Sequence, residues 1–175
     1  MGFVKLISAI LFCSFLIFNN QEEEVMLWNA NKKLKWSDFK GEPQNKRAAA
    51  VTASGLTYRF STTKNKGRVV SVDFIVSSYF YPNKSWYRPE VCDSIILSHE
   101  QLHFDITEIY AQKFRMRLEK AEFSNNVKAE VKAIYKQINI ELNDFQNLYD
   151  SETNFSRDRE QQLLWSNKIA EALKE

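Results

Sequence analysis

A chain of 175 residues with 44% hydrophobic residues is long enough for one cored domain, with room for a short appendage. Its formal net charge of +2 comes from interspersed basic and acidic residues without a long basic run, which argues against nucleic acid as a partner. With 13 Phe, 7 Tyr and 4 Trp against only 4 Gly and 3 Pro, a loop-rich or disordered chain is excluded.

The N-terminus reads as a leader. Lys5 precedes an uncharged apolar run from Leu6 to Phe18, followed by polar Asn19-Asn20-Gln21 and acidic Glu22-Glu23-Glu24. That run is short for a membrane span and has the shape of a secretory signal over residues 1–20. No small-residue pair precedes Gln21, so an uncleaved anchor through residues 3–18 is the alternative. Residues 21–175 then form a single domain, exported to the periplasm or beyond, which meets a membrane only through that segment. Loss of Cys13 with the leader leaves Cys92 as the one thiol, so no intrachain disulfide is available. Cys92 reads as a structural thiol, because no histidine is free to activate it.

From Leu34 to Pro43, Trp36 and Phe39 are expected to pin the segment to the domain, with Gly41 and Pro43 turning the chain. From Ala48 the period becomes two: Val51 and Ala53, then Leu56, Tyr58 and Phe60, alternate with polar residues. The cluster Thr62–Gly67 predicts a turn and Val69–Val76 a second strand, giving a hairpin or small antiparallel sheet. The edge of that sheet suits an extended peptide. Trp86 reads as core.

After Pro89 the chain contains no proline and reads as three helices. Asp93 or Ser94 caps the first, whose apolar stripe runs Ile95, Leu102, Ile106, Ile109, Tyr110, Phe114 and Leu118. On that stripe lies His99-Glu100-Gln101-Leu102-His103, an H-E-x-x-H motif that contains the only two histidines of the chain. Four residues along a helix return to nearly the same side, so His99 and His103 can share one Zn²⁺, with Glu100 beside them as a general base. Asp105 points away from the pair. Ser124-Asn125-Asn126 breaks the pattern before a second helix to about Tyr149, with Val127, Val131, Ile134, Ile138, Phe145 and Leu148 on its buried face. A third helix, about Asp158 to Leu173, carries Leu164, Trp165 and Ile169. Strands followed by helices make an α+β domain. A short turn near residue 122 would set His103 against Glu141 and His99 against Phe145, with the loop Tyr149–Ser156 arriving at the metal end.

Several blocks resemble a bacterial family long labelled a domain of unknown function and described as predicted secreted zinc-dependent proteases. They are Trp36-Ser-Asp38-Phe39-Lys-Gly41-x-Pro43, Ala49-Ala50-x-Thr52-x-x-Gly55, Ser85-Trp86, His99 to Ile106, and Tyr149-Asp150-x-Glu152-Thr153. The resemblance implies a zincin-like fold, a small N-terminal antiparallel sheet followed by three helices, and zinc-dependent hydrolysis of a peptide or protein substrate. It also implies a histidine as third zinc ligand where this chain has Phe155. Phenylalanine cannot coordinate a metal, which leaves Glu152 or Glu141 as the third ligand. The alternative is a catalytically inactive envelope protein, binding or structural, on the same scaffold.

Overall fold

The computed structural model describes residues 23–45 and 47–174, so the apolar run read as a leader lies outside the described residues. Two long strands, β3 (Ser54–Asn65) and β4 (Arg68–Phe80), form an antiparallel hairpin, with β1 (Met26–Leu27) on the far side of β4. The predicted turn shrinks to Lys66-Gly67, both left-handed (φ 47° and 79°), the primed geometry that matches strand twist. The polar Thr62 and Thr63 stay in the strand opposite Val72 and Ser71, because branched side chains suit an exposed, pleated hairpin end. A separate two-stranded ribbon pairs β2 (Ala50–Val51) with β5 (Trp86–Tyr87). Three helices follow: α1 (Ser94–Lys120), α2 (Val127–Glu152) and α3 (Arg159–Ala172). The domain is therefore α+β, with the sheet first and the helices after it.

Helix α1 is the axis of the molecule. Asp93 caps it by accepting from the backbone N–H of Ile95 and Ile96, each at 2.9 Å. One side packs Leu102, Ile106, Ile109, Tyr110, Phe114 and Leu118 against Leu56 and Val76 of the sheet and against Val131, Ile138, Tyr149, Trp165 and Ile169 of the other helices. Its opposite side holds Phe104 against Phe80, Phe39 and Leu34, the second core. Trp36 stacks on Tyr87 at 4.5 Å, and Trp86 and Trp165 are each 2% exposed, so the aromatic anchors are packing groups. Gly41 abuts the carbonyl oxygens of Asn83 and Ser85, where a Cβ would come to 2.9–3.0 Å. Leu148 lies outside the core at 45% exposure, since the buried face of α2 runs through Leu142 and Tyr149, and Leu164 at 54%, since α3 buries Gln162, Trp165 and Ile169 instead.

Being covered on both sides, the middle of α1 buries polar residues as well: His99, Glu100, Gln101, Asp105, Thr107 and Glu108 are all buried. Each must find a partner or carry a desolvation cost.

Candidate metal centre

The connection 121–126 between α1 and α2 sets how the two antiparallel helices meet. His103 faces Gln146 and Asp150, and His99 faces Asp150. The expected pairings of His103 with Glu141 and His99 with Phe145 are corrected by this register. Glu141 forms a bidentate pair with Arg117, at 2.9 and 2.6 Å, and those hydrogen bonds hold its carboxyl below the usual range. Glu152 sits two residues past Asp150, on the other side of the α2 helix, where it accepts from Trp165 Nε1 at 2.8 Å. Neither carboxylate approaches the histidines; the one that does is Asp150.

His99 Nε2 and His103 Nε2 are 3.2 Å apart, and each is 3.0 Å from Asp150 Oδ1. The far sides of the rings fix their protonation. His99 Nδ1 faces Gln162 Oε1 at 3.0 Å, and His103 Nδ1 faces Gln146 Oε1. An amide oxygen only accepts, so the neutral rings carry their protons on Nδ1 and turn the Nε2 lone pairs inward. Gln146 is itself held by donating to the His103 carbonyl at 3.2 Å, and Gln162 Oε1 accepts from Tyr149 Oη at 2.9 Å. Tyr149 also stacks on the His99 ring at 4.5 Å, and burial pushes its phenol far above its ordinary value.

Three electron-rich atoms thus converge within 3.0–3.2 Å. The arrangement is repulsive unless a cation lies among them. A proton serves in part: burial opposes charge on His103, but the hydrogen bond to Asp150 and the negative charge of Glu100 raise its pKa above the usual value. Burial likewise opposes ionisation of Asp150, yet its hydrogen bonds to His103 and His99 hold the carboxyl well below the usual carboxylate range. A divalent ion fits the same triangle, because donors about 2.0 Å from a tetrahedral centre stand about 3.3 Å apart. His99, His103 and Asp150 form a group able to hold a metal ion.

Glu100 supplies a second sign of a missing partner. It is 5% exposed, and its Oε2 has no hydrogen-bond partner. Buried side-chain atoms left unpaired are few among the described residues, namely Arg88 Nε, Glu100 Oε2 and Gln162 Nε2, and two of these belong to residues of this site. Asp150 lies in the last turn of α2, whose negative dipole end also favours a cation.

These residues form the floor of a cleft of about 800 Å³. The segment 48–52, including β2, makes one wall and the α2 residues Asn139, Leu142, Asn143 and Gln146 the other; Phe155, Ser156 and Arg157 stand at the rim. Phe155 is 59% exposed and lies in a run of left-handed residues, Asn154, Phe155 and Ser156, with φ of 46°, 53° and 71°. Three such non-glycine residues in succession are strained by about 1–2 kcal/mol each, and the strain sits at the cleft mouth. Cys92 donates to the Ala49 carbonyl at 3.3 Å, and burial pushes its thiol up, which fits a packing thiol. Asp105 turns away from the histidines as expected and accepts from Trp28 Nε1 and Gln101 Nε2, each at 2.8 Å.

Asp150, Gln146, Gln162 and Tyr149 were not read as site residues from the chain alone. A signal existed for two of them. Gln146 and Asp150 are four apart, the same step as His99 and His103, so an antiparallel partner helix can offer one polar group to each imidazole.

A family model described as "Bacterial protein of unknown function (DUF922)" matches residues 28–157. Neither the curated proteins nor the solved structures contain a match to the chain. The matched span covers β1's neighbour Trp28 through the cleft rim at Arg157, and the chain belongs to that bacterial family.

Proposed function

We propose that this member of the bacterial family is a zinc-dependent peptidase, in which His99, His103 and Asp150 hold one Zn²⁺ and Glu100 is the general base. The observation that carries the reading is the convergence of two imidazole Nε2 atoms and one carboxylate oxygen within 3.0–3.2 Å, beside a buried carboxylate oxygen without a partner. When bound, the ion supplies Lewis acidity and makes a neighbouring water more acidic. Glu100 takes the proton of the attacking water as the new C–O bond forms, then delivers it to the amide nitrogen as the C–N bond breaks. Gln146 and Gln162 keep both imidazoles in one tautomer and one orientation. The cleft, about 800 Å³, leaves room for a polypeptide segment above that floor.

Three features support a peptide as substrate. One wall is an extended strand, Ala50–Val51, which pairs with β5 alone among the described residues and lines the cleft, so strand addition by a peptide suits it. The H-E-x-x-H helix beneath an antiparallel sheet suits a zincin-like plan. The sequence blocks resemble predicted secreted zinc-dependent proteases. Export remains part of the proposal and rests on the apolar leader; no described helix is long and apolar enough to cross a membrane.

The test is metal content and cleavage together. Purified protein should carry one equivalent of zinc by elemental analysis and cut peptides of a mixed digest followed by mass spectrometry. Glu100→Gln should keep the zinc and lose cleavage by about 10²–10⁴-fold. Stoichiometric zinc with cleavage indifferent to Glu100 would sink the catalytic reading in favour of a binding or structural role.

A further inference from the structure

The cleft has two chemically different ends. Cys92 meets Ala49, Thr52 meets the Glu100 carbonyl at 3.2 Å, and Ser54 meets Thr107 at 2.7 Å, so segment 49–54 ascends alongside α1. Helix α2 descends past it, with Gln146 at His103 and Asp150 at His99. Arg47 and the rim at Phe155–Arg157 therefore stand beyond His99, toward the start of α1, while Asn139 and Ser54 stand at the opposite end. One end is doubly cationic with an exposed aromatic ring; the other is neutral and rich in amide and hydroxyl groups.

Nothing among the described residues neutralises the cationic end. Among the described residues no carboxylate lies within 4 Å of Arg47 or Arg157, whereas Arg115 and Arg117 are paired with Glu108 and Glu141. Among the described residues the carboxylates lining the cleft are Glu100 and Asp150, both committed to its floor. Arg157 is positioned by the strained left-handed turn, and its Nη1 donates to the Asn154 carbonyl at 3.4 Å, which leaves most of the guanidinium fork free.

We infer that the cleft takes peptides presenting a carboxylate at the end marked by Arg47 and Arg157, with Phe155 as an apolar wall beside it. Guanidinium forks match a carboxylate with two parallel hydrogen bonds and favour it over a neutral amide. This specificity rests on the peptidase reading for its substrate class, but the binding preference stands apart from cleavage. The carboxylate comes either from an acidic side chain or from a free chain terminus.

Calorimetric titration of Glu100→Gln, with and without zinc, separates these. The probes are three short peptides of one neutral sequence: blocked at both ends, blocked with a single Glu, and unblocked only at the C-terminus. At least one carboxylate peptide should bind about tenfold more tightly than the neutral one, less so in high salt, and which one does so identifies the source. Arg47→Gln and Arg157→Gln should each remove about threefold of that preference, and the double variant all of it, with binding of the neutral peptide and thermal stability unchanged. Equal binding of all three peptides, no binding of any, or a preference that survives the double variant overturns the inference. If the preference holds while zinc-loaded wild type cuts neither these three nor the peptides of a mixed digest, the peptidase reading falls and the binding preference stands. If the neutral peptide is cut without any preference, the outcome is the reverse.

Discussion

Helix α1 buries carboxylates on two sides, and the two sides treat them in opposite ways. On the side away from the cleft, Asp105 is enclosed by Trp28, Gln101 and Lys33, and Glu108 by Ser78 and Arg115. Every acceptor there has a donor, and the cluster straps the N-terminal segment onto the helix: Gln101 also accepts from the Leu34 backbone N–H at 2.7 Å. On the cleft side, Asp150 shares one oxygen between two imidazoles whose lone pairs point inward, and Glu100 Oε2 meets nothing. A buried polar group with all its partners is built for stability. One left without a partner carries a desolvation cost that a bound cation or a proton donor would relieve.

The sharpest way to break that contrast is to remove the shared oxygen. Asp150→Ala should weaken zinc binding by at least about 100-fold in competition with a chelating dye, while Glu141→Gln and Glu152→Gln stay within about twofold of wild type. A zinc affinity that follows Glu141 or Glu152 instead would return the third ligand to one of those residues. On the other face, Asp105→Ala should cost about 2–3 kcal/mol in urea denaturation, because Trp28 Nε1 and Gln101 Nε2 lose their acceptor, with zinc affinity unaltered. Equal loss of stability and metal in that variant would erase the distinction between the faces. Gln146→Ala should act more mildly on the metal, about tenfold, by freeing the His103 ring to change tautomer.

The smallest effect is on pH. Folding raises the pKa of His103, so in ion-free protein its contribution is complete below about pH 6.5 and is lost as pH climbs through the raised native value. Asp150 behaves oppositely: its depressed pKa contributes above about pH 3.9 and is lost as pH falls toward the native value. Zinc competes with the His103 proton, so the stabilisation by added zinc should grow across the same alkaline interval in which the ion-free protein weakens. Melting temperatures with chelator and with zinc between pH 6 and 9 would diverge; parallel curves would mean that no proton is displaced.

Much of this molecule is written locally. Strand alternation, the Asp93 cap and the helical periods of the second half depend on neighbours within a turn or two, and they predict the α+β order that the chain adopts. The placing of His99 and His103 on one helical face is likewise a matter of 100° per residue. Exposed Leu148 and Leu164 show the limit of periodicity, since an apolar stripe wider than the contact leaves its margin in water.

Which carboxylate reaches the histidines was beyond local reasoning. A turn centred near residue 122 brings Glu141 to His103; the connection 121–126 brings Gln146 there and Asp150 to both rings. A few residues in a loop are amplified because antiparallel helices slide past each other by twice the displacement of the turn between them. The same holds for the cleft rim, where Arg47 and Arg157 lie far apart in the chain and share one end only after three elements have packed. Residue types and short-range spacing therefore determined the two imidazoles and the carboxylate beside them. The third apex, the hydrogen bonds that orient the rings and the charge of the cleft were decided by tertiary packing, because each depends on how separate elements meet.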